Sequence, residues 1–295
     1  MTAGRRLALG AAYVVLGEFM FASMGVGIRF VAAEVPNEVV VFFRNLISVL
    51  LLTPWLLRGA GGGLATKVPW LHLLRALAGL GAMYCFFYAI AQIPLAEAML
   101  LKLTTPLFIP LIALLWLGEG ITATIGLGVA LGFGGVLFVL QPGLAGPSPV
   151  VLIGLLGGAL AAVALVTVRR LSRSEPPTRI VFYFAALATL VSAVPLAWAW
   201  RTPSPAALGW LGAIAILATL GQVCLTRGLS LAPAGQVGPF GYFAVIFGAG
   251  YGWLLWQEPV AWGTFVGSAL ILASGIILTR SPHPTGPTPP IPGPV

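Results

Sequence analysis

Apolar residues run along this chain in blocks of about twenty, separated by short segments that hold most of its prolines and charges. An α-helix that crosses the roughly 30 Å hydrocarbon layer of a bilayer needs about 20 apolar residues. The blocks predict ten such helices, over 7–32, 37–58, 70–91, 94–117, 121–140, 149–171, 178–200, 206–229, 234–257 and 260–279. Pro36, Pro94, Pro149, Pro177, Pro205 and Pro233 stand at or near predicted helix starts, where a missing N–H costs little. Trp55, Trp70, Trp116, Trp198, Trp200, Trp256 and Trp262 fall near predicted ends, as interfacial anchors do.

The pattern also repeats. "EVPNEVVVFF" (34–43) aligns with "EPPTRIVFYF" (175–184) at a shift of 141 residues, which also pairs Arg29 with Arg170 and Pro54 with Pro195. Further on the shift becomes 139 and pairs Cys85 with Cys224, Pro94 with Pro233 and Glu119 with Glu258. The reading is two five-helix halves, 1–142 and 143–280, followed by a disordered proline-rich tail, 281–295. An odd number of crossings per half makes the second half cross in the opposite sense. The expected fold is therefore an all-α membrane protein with ten transmembrane helices in two inverted five-helix repeats. Secondary transporters use this design, with the substrate site at the repeat interface near the midplane.

Composition agrees with lipid as the solvent. The chain has 295 residues, 59% of them hydrophobic and only 7% charged, where a soluble domain carries about 25% charged residues. The net charge of +8 is not a nucleic-acid footprint, because the basic residues sit in short segments between apolar blocks rather than on one face. With the N-terminus inside, the cytoplasmic segments hold Arg5, Arg6, Arg58, Lys67, Arg75, Arg169, Arg170, Arg173, Arg179 and Arg280, against Arg201 and Arg29 outside. That imbalance predicts an inner-membrane protein with both termini cytoplasmic. The N-terminal apolar stretch has no small-residue cleavage site and reads as a retained first span. Cys85 and Cys224 lie within apolar blocks with no CxxC or Cys/His cluster, so no metal or redox site is expected.

"FFRN" (42–45), "IPLAEAMLLKLTTPLFIPLIALLWLGE" (93–119) and a glycine-rich fifth block resemble the EamA-type drug/metabolite transporters over about residues 7–280. The resemblance implies a central cavity surrounded by helices one to four of each half. It implies secondary transport of small metabolites such as amino acids, riboflavin, S-adenosylmethionine or nucleobase-like solutes. Helices five and ten would lie outside the cavity and help pack or dimerise, which leaves a homodimer through them as an expectation. The second half departs at "LAPAGQVGPFGYF" (231–243), where Gln236 replaces the Glu97 of the first. Independently, Gly126, Gly128, Gly132, Gly134 and Gly135 of helix five, and Gly263, Gly267 and Gly275 of helix ten, suit close helix packing.

Three charges fall deep in predicted spans: Glu18, Arg44 and Lys102. Each costs at least about 2.5–3.5 kcal/mol at a bilayer centre and should face a cavity or a partner. Arg44 has two readings: a snorkelling or ion-paired structural residue, with Glu18 as partner, or a cavity residue that holds a carboxylate or phosphate. Asn45 lies 100° round the helix from it and is a weaker candidate. Lys102 is read as a cavity residue that binds an anionic group or balances Glu18. Glu18 and Glu97 are the candidate coupling carboxylates, Glu97 with the competing reading of a charge at a helix N-terminus. Glu119 and Glu258 close helices four and nine and are expected to bond N–H groups at the next helix start or to gate. Tyr84 and Tyr88, four apart on one helix face, are candidate wall residues. Pro106, Pro110 and Pro239 mark candidate bends in helices four and nine.

The expected function is outward secondary transport of amino acids or related zwitterions by alternating access. The rival within the class is uptake of a cofactor-like solute. A passive channel or an intramembrane enzyme is the rival from another class, but no nucleophile/base pair, HExxH motif or GxxxxGK[ST] loop is present, and no cofactor is implied. The expected partners are a small-molecule substrate and the lipid bilayer.

Overall fold

The computed structural model describes residues 3–55, 65–117, 122–140, 148–171, 174–231, 238–259 and 262–280. These residues form helices α1 (Ala3–Val31), α2 (Asn37–Trp55), α3 (Pro69–Gln92), α4 (Leu95–Lys102), α5 (Thr105–Leu117), α6 (Ala123–Leu140), α7 (Pro149–Leu171), α8 (Pro177–Ala193), α9 (Leu196–Ala199) and α10 (Pro205–Leu231). A 3-10 helix (Gly238–Tyr242), α11 (Phe243–Trp256) and α12 (Trp262–Arg280) follow, with no strand among the described residues. Six segments are long and apolar enough to cross a membrane: Gly4–Val31, Asn37–Pro54, Pro69–Gln92, Leu95–Trp116, Pro149–Val168 and Pro205–Leu225. Four shorter apolar helices accompany them, Ala123–Phe138, Arg179–Ala193, Phe240–Trp256 and Trp262–Ile277. This is a multi-pass membrane protein. The predicted tail, 281–295, lies outside the described residues.

Three predicted helices are interrupted. The block at 94–117 is two helices, with Leu103 and Thr104 in a turn between α4 and α5. Pro106 has no N–H to give the carbonyl of Lys102, so that group needs another donor. Thr105 Oγ1 donates to Lys102 O at 2.7 Å, and Thr104 Oγ1 donates to Leu101 O at 2.6 Å. Hydroxyls thus satisfy carbonyls that would otherwise be orphaned away from water. The block at 178–200 breaks at Val194 and Pro195, between α8 and α9. The described part of the block at 234–257 opens as a 3-10 turn, which includes Pro239, before α11.

The helix pairings have an internal regularity. α1 packs on α10, α3 on α7, α2 on α8, α4 on α11 and α6 on α12, with further contacts of α5 on α7, α1 on α11, α2 on α10 and α3 on α8. Exchanging each helix for the one about 140 residues away maps α1–α10 onto α7–α3, α5–α7 onto α11–α1 and α2–α10 onto α8–α3, and leaves α2–α8 and α6–α12 unchanged, while α4–α11 stands apart. Glycines let the closest pairs approach. In α1 and α10, Gly17 faces the Gly221 backbone, Gly228 faces Val14, and Gly27 faces Ile214. In α6 and α12, a Cβ on Gly135 would lie 2.7 Å from the Gly267 carbonyl oxygen, and Ser274 Oγ donates to Gly128 O at 2.6 Å. The largest buried cluster joins α1, α2, α3, α4 and α10 through residues such as Ile28, Val39, Leu95, Leu211 and Ile214.

Two carboxylates fasten the bundle at related positions. Glu34, after α1, accepts from the Ser204 N–H at 2.7 Å and from its hydroxyl at 3.1 Å, just before α10. Glu175, after α7, accepts from Thr66 Oγ1 at 2.7 Å, just before α3, and from Arg179 Nη1 at 2.6 Å. Burial pushes the Glu175 carboxyl up, but the hydrogen bonds from Thr66 and Arg179 and the charges of Arg179 and His72 outweigh it and hold it below its ordinary value. This contribution to stability is therefore fully present above a pH of about 4.5 and is lost as pH falls through the lowered folded-state value. Glu175→Gln should cost about 1–3 kcal/mol near neutral pH, through the weakening of the charge-assisted hydrogen bonds from Thr66 and Arg179. Thermal unfolding in detergent, run as a pH series, should show the parent and the variant converge on the acid side of that window.

Candidate functional site

α1 carries Glu18 to mid-helix, fifteen residues after its first residue, Ala3, or roughly 22 Å along the axis. The break after α4 places Lys102 beside it. Lys102 Nζ donates to Glu18 Oε2 at 3.0 Å and lies 4.2 Å from the centre of the Phe21 ring. Glu18 is 4% exposed, whereas the Lys102 side chain is 32% exposed. The pair therefore has a sealed acidic end and an accessible basic end. Gly241, which the 139-residue shift pairs with Lys102, approaches from the other side: a Cβ there would lie 3.9 Å from Glu18 Oε1. The two interrupted segments thus meet at Glu18.

Arg44 does not pair with Glu18, whose partner is Lys102. Its Nη1 donates to Asn45 Oδ1 at 2.9 Å. Asn45 is itself buried, and its Nδ2 donates to Val41 O at 2.9 Å and approaches Met83 Sδ at 3.7 Å. Asn45 therefore fixes the Arg44 guanidinium from the adjacent position on the same helix.

Arg75 departs from the sequence reading, which put it in a cytoplasmic segment. It lies within α3, six residues after Pro69, roughly 9 Å along the axis. Its guanidinium packs over the Phe184 ring, 4.1 Å from the centroid, and presses on Gly79. Its Nε and Nη1 are buried with no hydrogen-bond partner. The signal available in the sequence was its position inside an apolar block; proximity to the block's start masked it.

The candidate wall residues separate. Tyr88 is 37% exposed and lines a cavity of about 340 Å³ with Asn37, Glu38, Phe87 and Gln92, where α1 ends, α2 begins and α3 ends. Tyr84 packs on the core, and its buried hydroxyl has no partner. Tyr242 Oη donates to Ile271 O at 2.8 Å and so ties the 3-10 turn to α12. Glu97 lies in the first turn of α4 and lines a narrow cleft with Glu258 and Thr264. Glu258 bonds a different N–H from the one expected: its Oε2 accepts from Leu95 N at 3.2 Å, at the start of α4, while Oε1 pairs with Arg29 Nη1. Arg29 also lies over Trp256, 4.5 Å from the ring centre, and Arg170 lies over Trp116 at 5.6 Å. These two contacts are related by the internal repeat. Glu119 lies outside the described residues. Pro106 and Pro110 lie in α5, the first beside the break and the second inside the helix.

The chemistry does not follow the regularity of the packing. The positions that the repeat pairs with Glu18, Arg44 and Lys102 are Ala159, Ala185 and Gly241, and Arg75 pairs with Ile214 or Ile216. All four deep charges therefore belong to the first half.

The sequence matches the EamA-like transporter family twice, over residues 8–141 and 148–280. It is 39% identical to the pseudopaline exporter of Pseudomonas aeruginosa over 276 residues, 92% of this chain and 96% of that one. It is 26% identical to a riboflavin transporter of Rhizobium johnstonii over 94% of this chain and 92% of that one. A solved crystal structure at 19% identity shares the fold with a TM-score of 0.61, covering 94% of this chain and 96% of its own.

The Glu18–Lys102 contact predicts non-additive stability. Glu18→Gln and Lys102→Met should each destabilise the purified protein, and the double variant should recover part of the loss. The coupling energy expected is about 0.5–3 kcal/mol, read from thermal unfolding of the four proteins in detergent.

Proposed function

The chain belongs to the EamA-like transporter family, and from that premise we propose that it is a secondary active exporter of carboxylate-bearing zwitterionic metabolites. It works by alternating access in the bacterial inner membrane, with both termini cytoplasmic. Its ten spans form two inverted five-helix repeats, 1–142 and 143–280. The self-mapping helix contacts, the related carboxylate clasps at Glu34 and Glu175 and the related Arg–Trp contacts support that architecture. The similarity to a pseudopaline exporter supports the outward direction.

One observation carries the reading: a Glu18–Lys102 ion pair where the interrupted segments of both halves meet, basic end accessible. Desolvated ion pairs are weak sources of stability and are tolerated where they are used. A solute carboxylate arriving at Lys102 competes with Glu18 for the ammonium. Glu18, released from its cation, is the carboxylate assigned to the coupling proton. Solute and proton therefore load together at one membrane face and leave together at the other. The helix breaks at Leu103–Thr104 and at the 3-10 turn give the two segments room to reorient as the repeats rock, with Pro106, Pro110 and Pro239 keeping those breaks open. Glu97 and Glu258 contribute to closure at the opposite end of α4. A homodimer, if the chain forms one, meets through the outward faces of α6 and α12, because their small-residue faces are used against each other.

The test is counterflow in proteoliposomes with a panel of amino acids and related carboxylates, with riboflavin and S-adenosylmethionine as comparison solutes. Exchange should saturate, and a proton gradient in the direction of solute movement should accelerate net flux. Lys102→Ala should lower the exchange rate at least about tenfold, as expected for a group that contacts the transported species. Glu18→Gln should retain exchange but lose the response to the gradient. Non-saturable flux, or a gradient response that survives Glu18→Gln, would refute the mechanism.

A further inference from the structure

Among the described residues, Arg75 and Arg44 are held inside the bundle without a counter-ion: neither forms an ion pair there, whereas Lys102 has Glu18, Arg29 has Glu258 and Arg179 has Glu175. Asn45, which holds the Arg44 guanidinium, reaches Met83 of α3 at 3.7 Å, and the Arg75 guanidinium lies against Gly79, one turn before Met83, so both groups sit beside the same stretch of α3. Arg44 is steadied by Asn45, and Arg75 is backed by the face of Phe184. Two Arg75 nitrogens are buried with no acceptor. In lipid, a fixed and unneutralised pair of this kind is expensive, and the usual structural remedy, a nearby carboxylate, is missing among the described residues. The arrangement makes sense if the missing acceptors arrive with a ligand. Two planar forks in one place, each able to grip a carboxylate with two parallel N–H bonds, match a ligand that carries two such groups.

We infer that Arg44 and Arg75 form a subsite for a dicarboxylate portion of the transported solute, one carboxylate per guanidinium. This rests on the transport reading above and extends it. The solute class becomes an amino-acid-like metabolite with at least two carboxylates in addition to any group that engages Lys102. Asn45 and Phe184 act as positioning residues. They hold the two guanidiniums in place before the solute arrives, so that little ordering remains to be done on binding.

Thermal unfolding of the purified protein in detergent tests this directly. Arg44→Met and Arg75→Met remove an unpaired buried charge, so each variant should unfold at or above the parent's temperature without ligand. An arginine with a structural role would instead lower it. Succinate, glutarate and glutamate should raise the parent's unfolding temperature, whereas acetate, alanine and inorganic phosphate at the same ionic strength should not. Either Met variant should abolish the rise. The inference is overturned if both variants lose stability without ligand, if no dicarboxylate shifts the parent, or if acetate or phosphate shifts it as far. Counterflow separates the two readings. Saturable exchange of neutral amino acids that is unchanged in Arg75→Met would leave the transporter standing and remove the subsite. Dicarboxylate stabilisation with no exchange by the parent would do the reverse. Arg75→Lys keeps the charge but loses the fork, and should retain a weakened response rather than none.

Discussion

The cost of taking charge out of water governs this molecule. Hydrocarbon offers no hydrogen bonds, so an ionised group at depth must meet its opposite, an aromatic face, or a cavity. Glu18 meets Lys102, whose ammonium also lies over Phe21. Arg29 meets Glu258 and lies over Trp256. Arg44 and Arg75 meet no carboxylate among the described residues and are steadied by Asn45 and Phe184. The first two arrangements are ion pairs within the protein, and the third has no carboxylate to complete it among the described residues.

The same constraint acts on the backbone. A helix in lipid satisfies its own N–H and C=O groups, so an interruption has to be compensated locally. Around α4 the compensation is visible at both ends. The hydroxyls of Thr104 and Thr105 bond the carbonyls freed near Pro106, and Glu258 accepts from the first N–H of α4. The short helix between them is therefore pinned at one end to α11 and α1, and ends at the other in the residue that carries the ammonium. Eight residues of helix join the Glu258 contact at Leu95 to Lys102.

Packing and chemistry obey different rules here. Most helix contacts and the carboxylate clasps recur across the two halves. The deep charges do not, since their counterparts are alanine, isoleucine and glycine. The deep charges therefore mark one place in the fold and have no charged counterpart in the second half. Gly241 shows the division in one residue: it repeats the position of Lys102, and its lack of a side chain leaves room beside Glu18.

The apolar blocks, the prolines at their edges and the 141- and 139-residue shifts were enough to read a helical membrane protein with related halves, because block length and periodicity are local properties. They also exposed Glu18, Arg44 and Lys102, since a charge within an apolar block needs no structure to be noticed. Local pattern could not choose partners. Glu18 was as compatible with Arg44 as with Lys102, and only the turn at Leu103–Thr104 brings the lysine to it. Glu258 faced a neighbour in sequence yet binds the start of α4, because α11 and α4 pack together. Arg75 sat close enough to a block's end to pass for a loop residue, and only its burial against Phe184 reveals it as an interior charge. The sequence by itself determined which residues must leave water. The tertiary structure decided which of them find a partner, because pairing depends on where separate helices cross.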